Sequence, residues 1–454
     1  MPQHFLSGTF IRMSAEIAPA ASRKGSDASI TVDPDSSSRA PQVNPTRLWE
    51  RLVQLGEVGA YNDERTKLRG VRRLALTDDE VRGRNLVMGW MREQGLEVSV
   101  DPIGNVYARR EGTDQSLAPV MMGSHIDSVG TAGRFDGCLG VLGGLEILAT
   151  LDDHKIATKR PMVVAFFTDE EGVRFGTDML GSATAVGRLP LADALNLRDR
   201  DGVSVKDELD RHNQSGDAAW LYKQPPYAYL ECHIEQGPVL LTENYPLGVV
   251  TGVQGISWWR IKLGGAAAHA GCTPMASRKD AGLALSLMRT RLHQLTAETP
   301  GLLCNFGLLS TTPGLTNVVP DTASGTIDLR HPKEDVLREA ELRAQKIIEE
   351  TLVETGCELL ELTQTARTAP VEFHADVVNA VEREITALQI PTRRLVSGAG
   401  HDAQELASII PSGMVFVRGQ NDGVSHSPRE YSTQEDCANG VQVMCRVVCG
   451  LAGI

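Results

Sequence analysis

The sequence predicts an α/β protein: a mixed sheet flanked by helices, with a smaller α+β domain inserted into it. Three observations carry this. Short apolar runs, Val120–Met122 and Pro161–Phe167 among them, lead straight into polar residues, as buried strands do where they give way to loops. Helical patterns alternate with these runs, which marks a layered α/β architecture. After about Thr251 the pattern changes to strands with one apolar and one polar face, and from about Glu372 the helix–strand alternation resumes. A chain of 454 residues is also too long for one ordinary core. The expected organisation is a disordered tail over 1–43, a main domain over 44–251 and 368–454, and an inserted domain over 252–367.

Each element has a local reason. Residues 14–43 are rich in Ser, Ala, Asp and Pro and read as disordered. Asn44 followed by Pro45 is a helix start, with Leu48, Leu52 and Leu55 on one face. Thr77 and Glu80 form a capping box before a second helix, which Gly95 ends. Strands are predicted at Leu96–Asp101, Asn105–Arg109, Pro161–Phe167 and Tyr229–His233. In the inserted domain Trp259, Ile261 and Leu263 alternate with Trp258, Arg260 and Lys262. A helix from about Lys279 to Leu295, a strand near Leu302–Leu309, a strand Thr322–Arg330, a helix Glu334–Glu350 and a strand Glu358–Thr363 complete that unit.

Composition narrows the function. A net charge of -13 argues against nucleic acid or an anionic membrane surface as partner, since both call for a basic face. No run of eighteen apolar residues is present, so no membrane span is expected. The eight cysteines show no C-x-x-C spacing and read as free thiols in a reducing cytosol, which makes the cytoplasm the expected location.

The chemistry gathers at strand ends. His125 and Asp127 follow the apolar run ending at Met122, and Asp136 precedes a Gly-rich helical segment. Imidazole and carboxylate suit a divalent metal, and Asp127 could accept the second ring N–H of His125 and fix its tautomer. Loop residues of this kind also occur on α/β scaffolds without a metal, so the remaining groups decide. Asp169-Glu170-Glu171 follows a buried strand, and neighbouring side chains on extended backbone point opposite ways. One glutamate can ligate metal while the other faces substrate as general base. His233 ends another strand, and His426 lies in GVSHSPREYS. Together these form two sites sharing Asp136: His125 and His233 for one metal, Glu171 and His426 for the other, about 3.5–4 Å apart. Zinc suits this donor set best, and Mn, Co or Ni would also be accepted. Gly400-His401-Asp402 could open a helix near a site.

The motifs GSHIDSV, GRFDG, FTDEEG, HIEQGP, HAGCTPM, TNVVPD, DLRHP, SGAGHD and SHSPREY, in this order, resemble the N-carbamoyl-L-amino-acid hydrolase and β-ureidopropionase group of dinuclear-zinc amidohydrolases. That group lies within the aminoacylase and carboxypeptidase-like metallopeptidase superfamily. The resemblance spans residue 45 to the C-terminal end. It implies that the main domain is catalytic, with two divalent metals per subunit, and that the inserted domain is a lid through which a homodimer forms. By motif, His125, Asp136, Glu171, His233 and His426 resemble the ligands, and Glu170 the general base. Gln236 resembles a substrate contact, Asn317 and Arg330 the pair that grips a substrate carboxylate, and Gly400 and His401 contacts to the carbamoyl end. His269 resembles a lid histidine that stabilises the oxyanion from the partner subunit. The implied reaction is hydrolysis of the ureido C–N bond of a small N-carbamoyl amino acid, α or β. Allantoate or ureidoglycolate is the alternative substrate.

Overall fold

The computed structural model describes residues 30–454, which divide into two compact units: residues 254–371 form one, and the chain on either side of them the other.

In the larger unit nine strands form one mixed sheet among the described residues. Its centre is parallel: Val120–His125 lies between Met162–Phe167 and Ala228–Ile234, and Ser412–Val417 runs parallel to the last of these. All four strands are buried along their whole length, which explains their continuous apolar character. Val106–Arg110 adds antiparallel to Met162–Phe167, and Leu247–Val253 antiparallel to Ser412–Val417. The register pairs His125 with Phe167 and Phe416 with His233, so the central parallel strands run out together. Ligands in open sheets gather at such carboxyl ends. Helices Cys138–Asp153 and Gln434–Ala452 pack against this sheet and each other, and both are buried over most of their surface.

Helix termini follow the local chemistry. The Asn44 side chain accepts from Thr46 N and Arg47 N, with Pro45 in the first turn. Thr77 accepts from Glu80 N, but the Glu80 carboxylate turns away to Leu76 N and to the buried Arg84 guanidinium, so only half of the expected box forms. Gly95 follows the helix Asp78–Glu93 with φ 74°.

The expected disorder through residue 43 needs correction for residues 30–43. Asp33 caps a short helix, Pro34–Ser38, and Ile30, Val32 and Val43 are buried. Asp33 N donates to Gly450 O at 3.0 Å. A Cβ at Gly450 would lie 2.3 Å from Ser37 Oγ and 2.7 Å from Val32 Cγ1, so this glycine admits the segment. Three apolar anchors in a polar stretch outweigh its composition. Residues 1–29, where the rest of the expected tail falls, lie outside the described residues.

In the smaller unit Gly255–Gly264, Thr322–His331 and Glu358–Thr368 form an antiparallel core extended by Leu303–Asn305 and Leu309–Thr312. The strand expected over Leu302–Leu309 splits in two, because Leu308 turns its N–H to Thr326 Oγ1 instead of the ladder. Helices Ala281–Glu298 and Glu334–Thr355 cover one face, burying Trp259, Ile261 and Leu263. Trp258, Arg260 and Lys262 stay exposed.

Candidate metal centre

His125 is the last residue of its strand, and its Nδ1 lies 3.1 Å from the backbone carbonyl of Asp127. The Asp127 carboxylate is farther, at 3.6 Å, and instead accepts from the N–H groups of Glu170 and Glu171, at 3.3 Å each. The nearer partner of Nδ1 is thus the main-chain carbonyl of Asp127 and not the carboxylate expected for that task. The Asp127 side chain braces the acidic loop. His233 repeats the arrangement, with Nδ1 2.8 Å from the Ile234 carbonyl. Both histidines can thereby present Nε2 to the same point.

That point is Asp136. Oδ1 lies 3.6 Å from His125 Nε2 and 3.2 Å from His233 Nε2. Oδ2 lies 3.6 Å from His426 Nε2, which is itself 3.2 Å from Glu171 Oε2. Each carboxylate oxygen thus faces a different group of donors: His125, Asp136 and His233 on one side, Asp136, Glu171 and His426 on the other. Gly137 makes this approach feasible. It takes φ +65°, and a Cβ there would lie 2.5 Å from the His125 ring.

Glu170 is buried, with Oε2 3.4 Å from His125 Nε2. The loop that carries it bends sharply at Asp169, φ 54°, an unfavourable conformation for a residue with a side chain. A buried polar frame holds it: Asn105 Oδ1 accepts from Thr168 N at 2.9 Å and Arg84 Nη2 donates to Thr168 Oγ1 at 2.9 Å.

The electrostatics favour positive charge at this centre. Burial pushes the Glu170 carboxyl well above the usual range, reinforced by Asp402, Glu171 and Asp127. Burial and the neighbouring Asp136 also raise Glu171. Burial opposes charge on His125, but the carboxylates of Glu170, Asp127 and Asp136 outweigh it and lift its pKa well above the ordinary value. The hydrogen bond to Glu171 raises His426 to about 9. Protons here compensate clustered buried carboxylates, and a divalent ion in the same place would displace them. The donors are imidazole and carboxylate, the set that suits a divalent transition metal.

Other expected residues fall as follows. Gln236, at φ 57°, donates from Nε2 to Asp136 Oδ2 at 2.9 Å, and its buried Oε1 has no partner among the described residues. His401 is buried, with Nε2 2.8 Å from Ser397 Oγ and its ring 4.6 Å from that of His233. Burial and the neighbouring His233 hold its pKa well below the ordinary value. Gly400 precedes it, packed near Met179. His269, Asn317 and Arg330 belong to the smaller unit. His269 and Asn317 are exposed and adjacent, since Ala270 N donates to the Asn317 carbonyl at 3.0 Å. Arg330 directs Nε and Nη2 to the Asp328 carboxylate at 3.0 Å.

Three further residues bind this centre together. Glu430 Oε1 accepts from Phe135 N and Asp136 N, at 2.9 and 3.2 Å. Ser425 Oγ bonds both Glu430 Oε2, at 2.8 Å, and Asp136 Oδ2, at 2.6 Å. Glu231, two residues before His233, joins His233 and His401 in a third group of donors. Its signal is a carboxylate on the same face of a buried strand as a candidate ligand histidine. Ser425 and Glu430 flank His426 within one loop.

A profile of peptidase family M20/M25/M40 matches residues 121–449. The N-carbamoyl-L-amino acid amidohydrolase of Geobacillus stearothermophilus is 41% identical over 413 residues, covering 90% of this chain and 99% of its own. The chain belongs to peptidase family M20/M25/M40. Within that family its likeness is to the hydantoinase/carbamoylase amidohydrolases. A crystal structure of an amidase of the hydantoinase/carbamoylase family from Burkholderia multivorans superposes with a TM-score of 0.86 at 38% identity, covering 90% of this chain and 98% of that one. The allantoate deiminase of Arabidopsis thaliana is 32% identical and covers 85% of this chain and 79% of its own. As an M20 member with these relatives, the chain is a hydrolase, and its His, Asp and Glu clusters fit divalent metal binding.

Proposed function

We propose that the protein hydrolyses the ureido C–N bond of an N-carbamoyl amino acid, α or β, using two divalent metal ions per subunit. The observation that carries this reading is the division of Asp136, one oxygen facing His125 and His233 and the other facing His426. His125, Asp136 and His233 would hold one ion, and Asp136, Glu171 and His426 the other, with zinc the preferred metal. When bound, the ions polarise the ureido carbonyl and lower the pKa of the attacking water. Glu170 would take a proton from the attacking water as the C–O bond forms and the carbonyl oxygen becomes an oxyanion, and would deliver it to the leaving nitrogen as that tetrahedral species collapses and the C–N bond breaks. The resulting carbamic acid decomposes to carbon dioxide and ammonia, leaving the amino acid.

Arg330 and Asn317 would grip the substrate carboxylate, a task that suits the planar guanidinium fork. Gln236, Gly400 and His401 would contact the carbamoyl end. His269 would stabilise the oxyanion from the partner subunit of a cytoplasmic homodimer formed through residues 252–367.

Ammonia release from N-carbamoyl-L-amino acids, N-carbamoyl-β-alanine, allantoate and ureidoglycolate, with and without added Zn²⁺ or Mn²⁺, tests the reading. Metal-dependent turnover of N-carbamoyl amino acids supports it. The 32% identity to an allantoate deiminase and to ureidoglycolate hydrolases favours allantoate or ureidoglycolate as second reading, and a panel in which only one of these is turned over would establish that instead.

A further inference from the structure

The loops that carry Asp136 and His426 also wall a cavity of about 280 Å³. Trp49, Phe135 and Tyr431 form one part of its lining, and Arg69, Arg134 and Arg429 another. The three rings pack on each other with centroids 5.7–6.3 Å apart. Three guanidinium groups at one cavity run against a chain of net charge -13. Arg69 pairs with Glu57 and Arg429 with Asp422. Arg134 makes no ion pair or side-chain hydrogen bond with any described residue, although it is only partly exposed. Its stem lies against Gly56, where an added Cβ would sit 3.0 Å from Arg134 Cβ. Glu430 also borders the cavity, but both its oxygens are engaged by Phe135 N, Asp136 N and Ser425 Oγ.

We propose that this cavity binds a small anion carried on a single aromatic ring, anchored by Arg134, and that its occupancy is felt at the metal centre through Phe135 and Glu430. A guanidinium without a protein partner matches a carboxylate or phosphate, and the aromatic wall matches a ring. The volume lies at the lower edge of ligand pockets, roughly 300–1,000 Å³, which limits the occupant to one ring. Phe135 both lines the cavity and donates its N–H to the carboxylate that holds Asp136 N, so a ligand on one side and metal on the other act on the same loop. Coupling of this kind is reciprocal.

Calorimetric titration of the metal-loaded protein tests the site with four probes: benzoate, phenyl phosphate, phenol and acetate. Benzoate or phenyl phosphate binds, and which of them binds tighter identifies the anion. Phenol, without the charge, and acetate, without the ring, bind at least about tenfold more weakly. Arg134→Gln weakens the ring-bearing anion about tenfold, and Arg330→Gln leaves it unchanged. Should Arg134→Gln fail to fold, Tyr431→Ala at the exposed rim gives the same loss. Zinc affinity, titrated with and without saturating benzoate or phenyl phosphate, changes at least about twofold. Three results overturn the site: no binding of either ring-bearing anion, binding indifferent to Arg134 and Tyr431, or binding abolished by Arg330→Gln. An unchanged zinc affinity at saturation overturns the coupling.

Discussion

Ser425 places one hydroxyl between two carboxylates, Asp136 and Glu430, and so ties the His426 loop to the loop that carries Asp136. Ser425→Ala removes both bonds without altering a donor of the centre. The expected result is divalent metal binding weakened by about 10–100-fold, read by titration of metal-free protein, with little change in the unfolding midpoint of that metal-free form. Gly137→Ala acts differently, because its Cβ would meet the His125 ring at 2.5 Å. It costs on the order of 1–3 kcal/mol in chemical denaturation and displaces the imidazole, so metal affinity falls together with stability. Glu170→Gln keeps the shape of the centre and removes the proposed proton carrier. Turnover then drops by about 10²–10⁴ while metal content by elemental analysis stays at the wild-type level. A fully active Glu170→Gln would end the proposed role for this residue.

At the scale of elements, the segment from residue 30 is anchored by buried apolar side chains and depends on a glycine to admit it. Gly450→Val would place methyl groups where Ser37 and Val32 now lie. Limited trypsin digestion is expected to cut at Arg39 in this variant and to spare it in the wild type. Strand ends, helix caps and the alternation of Gly255–Gly264 were legible in the sequence because each depends on neighbours within a few residues. The segment over 30–43 was not, since Ile30, Val32 and Val43 acquire meaning only against a helix some 400 residues away. The same distinction runs through the centre. His125 and His233 announce themselves by type and by position at strand ends, and Asp136 by its place just before a Gly-rich helix. Glu430 and Ser425 act through bonds to a loop 290 residues earlier, and Asp127 works through a carbonyl that every residue possesses.

The whole molecule carries a pH signature away from the metal donors. Asp101 is buried and accepts from Ile103 N, Asn105 N, Asn105 Nδ2 and Tyr107 OH. Burial nevertheless raises its pKa from 3.8 to about 6. The folded state therefore holds this proton more tightly than the unfolded chain. The associated stability is fully present below 3.8 and is lost as pH rises through about 6. Asp101→Asn removes the titration, so denaturant midpoints across this range should shift in the variant's favour with rising pH, by on the order of 3 kcal/mol. Metal removal acts in parallel, since an ion that binds only the folded chain stabilises it by mass action, about 2.7 kcal/mol at a hundredfold excess over Kd. Chelation should lower the melting temperature, and Zn²⁺ or Mn²⁺ should restore it.

His125 and His233 take their orientation from main-chain carbonyls, those of Asp127 and Ile234. Neither carbonyl can be deleted by a point mutation. Lineages that exchange side chains around the centre, or laboratory libraries that randomise them, can wander in substrate preference while both rings keep their bearing. The orientation of these two rings is in that sense written into the backbone and not into any side chain that a substitution can remove.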